Sequence, residues 1–490
     1  MAQKTVAPFH VTIVDYGMGN LSSVARALES LHAQVVVTNK PHDIEQAQRL
    51  ILPGVGAFGE GIKNLRKLGL IEPLENKVRS QKTPFLGICL GMQLLAHEST
   101  EHGRHQGLGW IPATVRPFET NSSGLKTIHI GWDEVVPTKP NVLFAGLKRI
   151  PYFYFVHGYH VVCEQSDTVC ATSAYGTPFT SAIQQDNIFG VQFHPEKSQE
   201  VGLGLLKNFL QWDSQADAEQ AGLQLRANGK SSPTVRLVPT LLYKNGRLTK
   251  TVKFQLVESG IRQDVGDPVK APMVYDAQLS DELVFLDFRA TVEGRGPEDL
   301  ITAVSEIAGR VFMPLTAGGG VRDFEDIRRL LMAGADKVAI NSIAVEKPEF
   351  IRESARYFGS QCIVVSIDAK QMPNGAYQVF THSGTKPTGL EPADWARQVE
   401  QLGAGEILLT SIDRDGTLEG YDLQLIQQVA DAVKIPVIAS GGAGKLQDLV
   451  EGITQAHASA VAAASIFHFR DLSPIKAKAF MRRSGLPVRE

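Results

Sequence analysis

Met313-Pro314-Leu315-Thr316-Ala317-Gly318-Gly319-Gly320 and Ile435-Pro436-Val437-Ile438-Ala439-Ser440-Gly441-Gly442 are two versions of one stretch. Each is a short apolar run that starts at a proline and ends in glycines, the pattern of a buried strand passing into a tight turn. Each is followed by a helical stretch and then by a second matched pair, Ala339-Ile340-Asn341-Ser342 and Ala462-Ala463-Ala464-Ser465. The strands at 237–244 and 363–370 also resemble each other, so this part of the chain consists of two similar halves. Outward from the repeat, eight apolar segments alternate with helical ones: 236–241, 282–287, 311–317, 337–340, 362–368, 406–410, 436–439 and 460–463. Eight strand–helix units within 235–490 have the size and rhythm of a (β/α)8 barrel, also called a TIM barrel.

Residues 8–212 read as a separate α/β domain with an open mixed sheet. Strands are expected at 11–14, 34–37, 50–52 and 85–88, helices at 21–31 and 92–97, and a β-rich second half at 153–156, 160–162, 179–183 and 188–192. Between the two lies 213–234, polar and ending in Asn228-Gly229-Lys230-Ser231-Ser232-Pro233, which reads as a linker. Of the 490 residues 43% are hydrophobic, enough for two cores. With 49 Lys and Arg against 52 Asp and Glu, the net charge of -3 excludes nucleic-acid binding by bulk charge. No apolar run approaches the roughly 20 residues that span a bilayer, and the first ten residues carry no apolar signal core. The four cysteines form no C-x-x-C pair. A reduced, cytoplasmic enzyme is expected, without metal or redox cofactor, because no ligand cluster has the needed spacing.

In the first domain Gly87-Ile88-Cys89-Leu90-Gly91 follows a strand and opens a helix. The glycines permit a turn that pushes the side chain out of the sheet, and a thiol at a helix start ionises more readily. The plain alternative is a core cysteine. Gly190-Val191-Gln192-Phe193-His194-Pro195-Glu196 supplies a base, His194, and an orienting carboxylate, Glu196. A histidine before proline is otherwise an ordinary turn residue; the distant cysteine elbow changes that. Pro53-Gly54-Val55-Gly56 closes another strand, where glycines let backbone N–H groups turn toward a developing oxyanion. Gly54, Val55, Gly56 and Leu90 are the candidate oxyanion residues.

Barrel enzymes react at the C-terminal ends of their strands. There Gly320, Asn341 and Ser342 form one candidate phosphate cradle, and Gly442, Ala464 and Ser465 a second, with Gly416 between them in sequence. Two cradles imply a ligand with a phosphate at each end. Asp368 ends an apolar strand, where a carboxylate is costly unless used, so it is a candidate general acid or base. Asp415 adds a second carboxylate at the mouth. Asp413 either pairs with Arg414 or caps a turn.

Cys89, His194, Glu196 and the Pro53–Gly56 turn together resemble a class I glutamine amidotransferase. Asp15-Tyr16-Gly17-Met18-Gly19-Asn20-Leu21 and Tyr154-Phe155-Val156-His157 are most similar to the glutaminase part of the imidazole glycerol phosphate synthase family. The run 406–417, with Gly-Ala-Asp-Lys-Val-Ala-Ile-Asn and Ala-Ser-Gly-Gly-Ala-Gly-Lys, resembles that family's cyclase barrel over 236–485. The resemblance implies thiol attack on the glutamine amide and release of ammonia. The ammonia would add to a bisphosphorylated ribulosyl aminoimidazole carboxamide, giving imidazole glycerol phosphate and an aminoimidazole carboxamide ribotide. It implies a glutaminase docked on the N-terminal face of the barrel, with Arg236, Glu282, Lys337 and Glu406 at the positions of the family's ammonia gate and Lys250 at that of a family lysine. A plain buried salt-bridge cluster is the other reading of those four.

One departure stands out. The family carries catalytic aspartates at the ends of strands one and five. The strand-five residue is Asp368, but the half-barrel repeat puts Leu242 in the place of its partner. Leu242 with Lys250-Thr251-Val252-Lys253-Phe254 resembles a paralogous branch linked to bacterial surface polysaccharide, in which the ammonia serves a separate sugar amidotransferase. A third reading makes the barrel a phosphate-ligand sensor that regulates the glutaminase without chemistry of its own.

Overall fold

The computed structural model describes residues 9–120, 125–147, 151–212, 234–257, 265–468 and 472–489. Apart from Thr234, the expected linker lies outside the described residues. The chain divides into two compact units, Met1–Phe118 with Asp133–Ser231, and Glu119–Trp132 with Ser232–Glu490.

The first unit is built on an eight-stranded sheet of β1 (His10–Val14), β2 (Gln34–Thr38), β3 (Leu50–Gly54), β4 (Phe85–Cys89), β5 (Val136–Pro137), β6 (Val169–Tyr175), β7 (Thr177–Gln185) and β8 (Ile188–Val191). Their order across the sheet is β2-β1-β3-β4-β8-β7-β6-β5. The half from β2 to β8 is parallel and the rest antiparallel. Strands β3 and β4 are buried along their whole length, as parallel strands covered on both faces must be, which explains their unbroken apolar sequence. Gly54 pairs with Cys89, and Val191 with Ile88. The carboxyl ends of β3, β4 and β8 therefore meet at one edge, where an open α/β sheet binds ligands.

The helix expected at 92–97 is instead Leu90–Gln93. The carbonyls of Leu94, Leu95, Ala96 and His97 accept N–H groups from Leu108, Trp110, Gly109 and Gly107. A returning strand of chain thus takes the acceptors that a longer helix would use.

In the second unit, β9 (Arg236–Lys244), β10 (Leu283–Leu286), β11 (Leu315–Gly318), β12 (Lys337–Ile340), β13 (Ile363–Gln371), β14 (Glu406–Ser411), β15 (Val437–Ser440) and β16 (Ala460–Ala463) form a closed ring. Each pairs in parallel with the next, and β16 closes back on β9. This is a (β/α)8 barrel. The strands expected at 311–317 and 436–439 begin later, at Leu315 and Val437. Pro314 and Pro436 have no N–H to give, so each joins its neighbour only through its carbonyl, to Leu283 and Ile407.

Every second residue of a strand faces the barrel interior. On β9 the inward line is Arg236, Val238, Thr240, Leu242. On the chain entering β10 it is Glu282, Val284, Leu286, and on β14 it is Glu406, Leu408, Thr410. The middle layer is an apolar plug that includes Val238, Val284, Ala339, Val364, Leu408, Ile438 and Ala462. Charged residues lie below it, at the N-terminal ends, and the polar cavity lies above. Leu408→Ala should lower the unfolding free energy of the barrel by about 2–5 kcal/mol. Met332→Ala, at a position 61% exposed, should change it by less than about 0.5 kcal/mol. Denaturant unfolding of the full chain checks both.

Candidate active site

Cys89 sits at a sharp strand-to-helix elbow with φ 52° and ψ -105°, in a backbone region that non-glycine residues seldom occupy. The elbow closes only because residue 91 is glycine: a Cβ there would lie 1.8 Å from the carbonyl oxygen of Leu52. The sulfur accepts a 3.5 Å hydrogen bond from Nε2 of Gln192. Gln192 is held in turn by Gln93, whose Nε2 donates to Gln192 Oε1 at 3.1 Å and to the Tyr159 carbonyl at 2.9 Å.

His194 and Glu196 are both buried, and His194 Nδ1 lies 2.7 Å from Glu196 Oε1. The histidine backbone is pinned on two sides, its N–H donating to Tyr154 and its carbonyl accepting from the Ser198 hydroxyl at 2.6 Å. Its Nε2 is buried, and a side-chain hydrogen bond with Cys89 adds to the charge of that thiol in favouring the protonated ring. Burial disfavours a charged ring, but the carboxylate of Glu196 and the nearby Cys89 outweigh it, and His194 titrates well above the ordinary histidine value. The structure thus brings Cys89 together with His194 and Glu196, which lie more than a hundred residues further along the chain. Gly54, Val55 and Gly56 stand beside them through the pairing of Gly54 with Cys89, and Leu90 begins the helix.

Two polar groups here carry no signal in the sequence. Gln93 reads there as one more helical residue. Glu101 sits in an unpatterned polar stretch, yet it is buried, takes the Phe58 N–H at 2.7 Å, and is pushed up by that burial to about 7. Its meaning lies in tertiary placement, just past the turn that carries Gly54–Gly56.

At the C-terminal ends of the barrel strands lies a cavity of about 450 Å³. Gly320, Asn341 and Ser342 line one end; Gly442, Ala464 and Ser465 line the other, with Gly416 on the wall between. Gly442 must be glycine, since a Cβ would fall 2.2 Å from the Gly420 carbonyl oxygen. Asp368 and Asp415 both face this space. Burial, with the charge of Asp415 added, raises Asp368 to about 7; a hydrogen bond from Ser366 pulls the other way. The amide nitrogen of Asn341 is spent on Asp368 (3.2 Å) and on the Ser366 carbonyl (3.0 Å). Asp415 accepts the Thr251 hydroxyl at 2.6 Å and the Phe254 N–H at 3.1 Å. Burial raises it also. Lys250 is not part of the cavity wall, but its charge reaches Asp415. Asp413 takes the Gln371 N–H at 2.8 Å, which is a structural staple.

Below the apolar plug, Arg236, Glu282, Lys337 and Glu406 form a closed ring of ion pairs, each residue at most 1% exposed. Arg236 reaches Glu282 at 2.7 Å, and Thr316 donates to Glu282 at 2.6 Å. Burial alone would raise Glu282, but Lys337 and Arg236 hold it below its ordinary value.

Comparison with known proteins bears on both units. Residues 12–212 match the model of class-I glutamine amidotransferases, and residues 236–473 that of histidine biosynthesis proteins. Over 536 aligned positions the chain is 35% identical to "Imidazole glycerol phosphate synthase hisHF, chloroplastic" of Arabidopsis thaliana, covering 98% of this chain and 89% of that protein. The chain belongs to the imidazole glycerol phosphate synthase family. It is an enzyme with a glutamine amidotransferase domain and a cyclase-type barrel. Among the described residues, no helix is long and apolar enough to cross a membrane.

Within this family's barrel the leucine at the end of strand one is an inward residue: Leu242 lines the same cavity as Asp368 and pairs with Leu286 of β10. Its side chain has no group that could carry a proton.

Glu196→Gln should remove the main charge that favours imidazolium. The His194 protonation midpoint should fall, as read by histidine NMR, and the glutaminase kcat should drop on the order of 10²–10⁴-fold.

Proposed function

We propose that the chain hydrolyses glutamine at Cys89 and delivers the ammonia to a bisphosphorylated ribulosyl aminoimidazole carboxamide held in the barrel. The products are imidazole glycerol phosphate, aminoimidazole carboxamide ribotide and glutamate, a step of histidine biosynthesis. Cys89 Sγ attacks the side-chain amide carbon, and negative charge develops on the amide oxygen, where N–H groups of the Gly54–Gly56 turn and of Leu90 receive it. The C–N bond breaks as His194 gives its proton to the leaving ammonia. His194 then takes a proton from water, which opens the thioester to glutamate. Glu196 keeps the ring in the orientation for both transfers.

For the barrel, the observation that carries the reading is the pair Asp368 and Asp415 on one cavity between two glycine-lined ends. A carboxyl group at about 7 holds and releases a proton near neutrality, as ring closure requires. The ring of Arg236, Glu282, Lys337 and Glu406 is the gate at the barrel's N-terminal end through which ammonia enters.

A second reading rests on Leu242. With no carboxylate at that position, the barrel does not close the ring, and the ammonia serves a separate sugar amidotransferase of surface-polysaccharide synthesis.

The purified chain, given the bisphosphate substrate and ammonium salt without glutamine, separates the two. The first reading expects imidazole product; its absence, from a preparation that still hydrolyses glutamine, overturns that reading in favour of the second. Cys89→Ala should abolish glutamate release and spare ammonium-driven turnover. Asp368→Asn should abolish turnover while the bisphosphate still binds in calorimetry; loss of binding to the same degree would make Asp368 structural.

A further inference from the structure

Tyr16 is fully buried in the first unit, and its hydroxyl has no hydrogen-bond partner. A buried hydroxyl without a partner is unusual and calls for an explanation. Its position supplies one. A Cβ built on Gly54 would lie 2.1 Å from Tyr16 Oη and 2.9 Å from Leu90 Cβ. The hydroxyl therefore rests on the Cα of Gly54, the residue paired with the nucleophile Cys89, and at the root of the oxyanion turn. The same loop makes a second contact with that turn. A Cβ on Gly19 would fall 3.0 Å from Gly54 Cα and 3.2 Å from the Val55 nitrogen. The loop from Tyr16 to Gly19 is thus seated against the peptide that joins Gly54 to Val55.

A trans peptide points its N–H and its C=O in opposite directions. When the Val55 N–H turns toward the developing oxyanion, the Gly54 carbonyl turns away from it, into protein, where it needs a donor. We propose that Tyr16 is the positioning residue of this glutaminase: its hydroxyl is the donor that receives the Gly54 carbonyl when the turn presents Val55 N–H to the oxyanion. The inference rests on the assignment of Cys89 as nucleophile. Tyr16 makes no contact with glutamine and acts through the turn. Burial, and then the charge of Cys89, push the phenol well above its ordinary value, so it stays protonated and able to donate throughout the pH range of the reaction.

Tyr16→Phe in the full chain tests it. The expected result is a 10- to 100-fold fall in the glutaminase kcat with KM for glutamine within twofold. Alkylation of Cys89 by iodoacetamide, which needs no oxyanion donor, should keep its wild-type rate, and Tm should be equal or higher, because an unpartnered hydroxyl is gone. An unchanged kcat overturns the proposal, as does a fall in kcat matched by falls in alkylation rate and Tm. If the phenylalanine variant does not accumulate, Tyr16→Met takes its place, with the same measurements and the same expected and overturning results. Cys89→Ala runs alongside: glutamate release that survives it overturns the nucleophile assignment, whereas loss in that variant with normal turnover in Tyr16→Phe overturns the tyrosine proposal alone.

Discussion

A β-strand presents its side chains alternately to its two faces, and both halves of this barrel's function hang on that alternation. Once Arg236 faces inward, Val238, Thr240 and Leu242 must also face inward. The same arithmetic runs from Glu406 through Leu408 to Thr410, and from Val364 through Ser366 to Asp368. One choice of register therefore sets three layers at once: charges at the bottom, apolar side chains in the middle, and the polar cavity at the top. None of the three can be moved without the others.

The bottom layer is the least comfortable of the three. Four charges with essentially no solvent exposure gain little net stability from their mutual attraction, because each has given up its water. What such a ring does enforce is completeness. Two cations and two anions satisfy one another, and loss of any one leaves a buried charge unpaired, at a cost of about 3–5 kcal/mol. A hydrophobic layer would have sealed the barrel with less desolvation. In the first unit the strained backbone of Cys89 is a comparable expense, held in place by tight contacts such as that of Gly91 with Leu52.

Much of this is legible in the sequence because it depends on local pattern. The eight barrel strands announce themselves as apolar runs between helices, and the internal repeat divides them into two similar halves. The cysteine elbow and the His194–Glu196 pair are short motifs whose geometry follows from a single turn. The four ring residues come from family resemblance, and their closure into a ring is visible only in three dimensions. The prolines at 314 and 436 mislead about strand starts, since apolar character says nothing about a missing N–H. The helix after Cys89 is shorter than its apolar pattern because the competing partners, residues 107–110, are distant in sequence from the helix start. Gln93 and Glu101 escape a sequence reading for the same reason: each is ordinary in its own stretch and acquires meaning only from what lies across from it. Tyr16 stands in a stretch that resembles the family, but its place against Gly54 is visible only in three dimensions.

The alternation has a bearing on how such a chain changes over generations. A residue inserted in a loop between barrel strands displaces nothing inside. A residue inserted within β9 before Thr240 would turn Thr240 and Leu242 outward, carry Leu241 and Tyr243 in, and leave Arg236 stranded from its line. Strand length is thus frozen against single insertions and deletions, while side-chain identity at any inward position stays free to drift. Leu242 occupies such an inward position, where one side chain can stand for another without any slip of the strand that carries it.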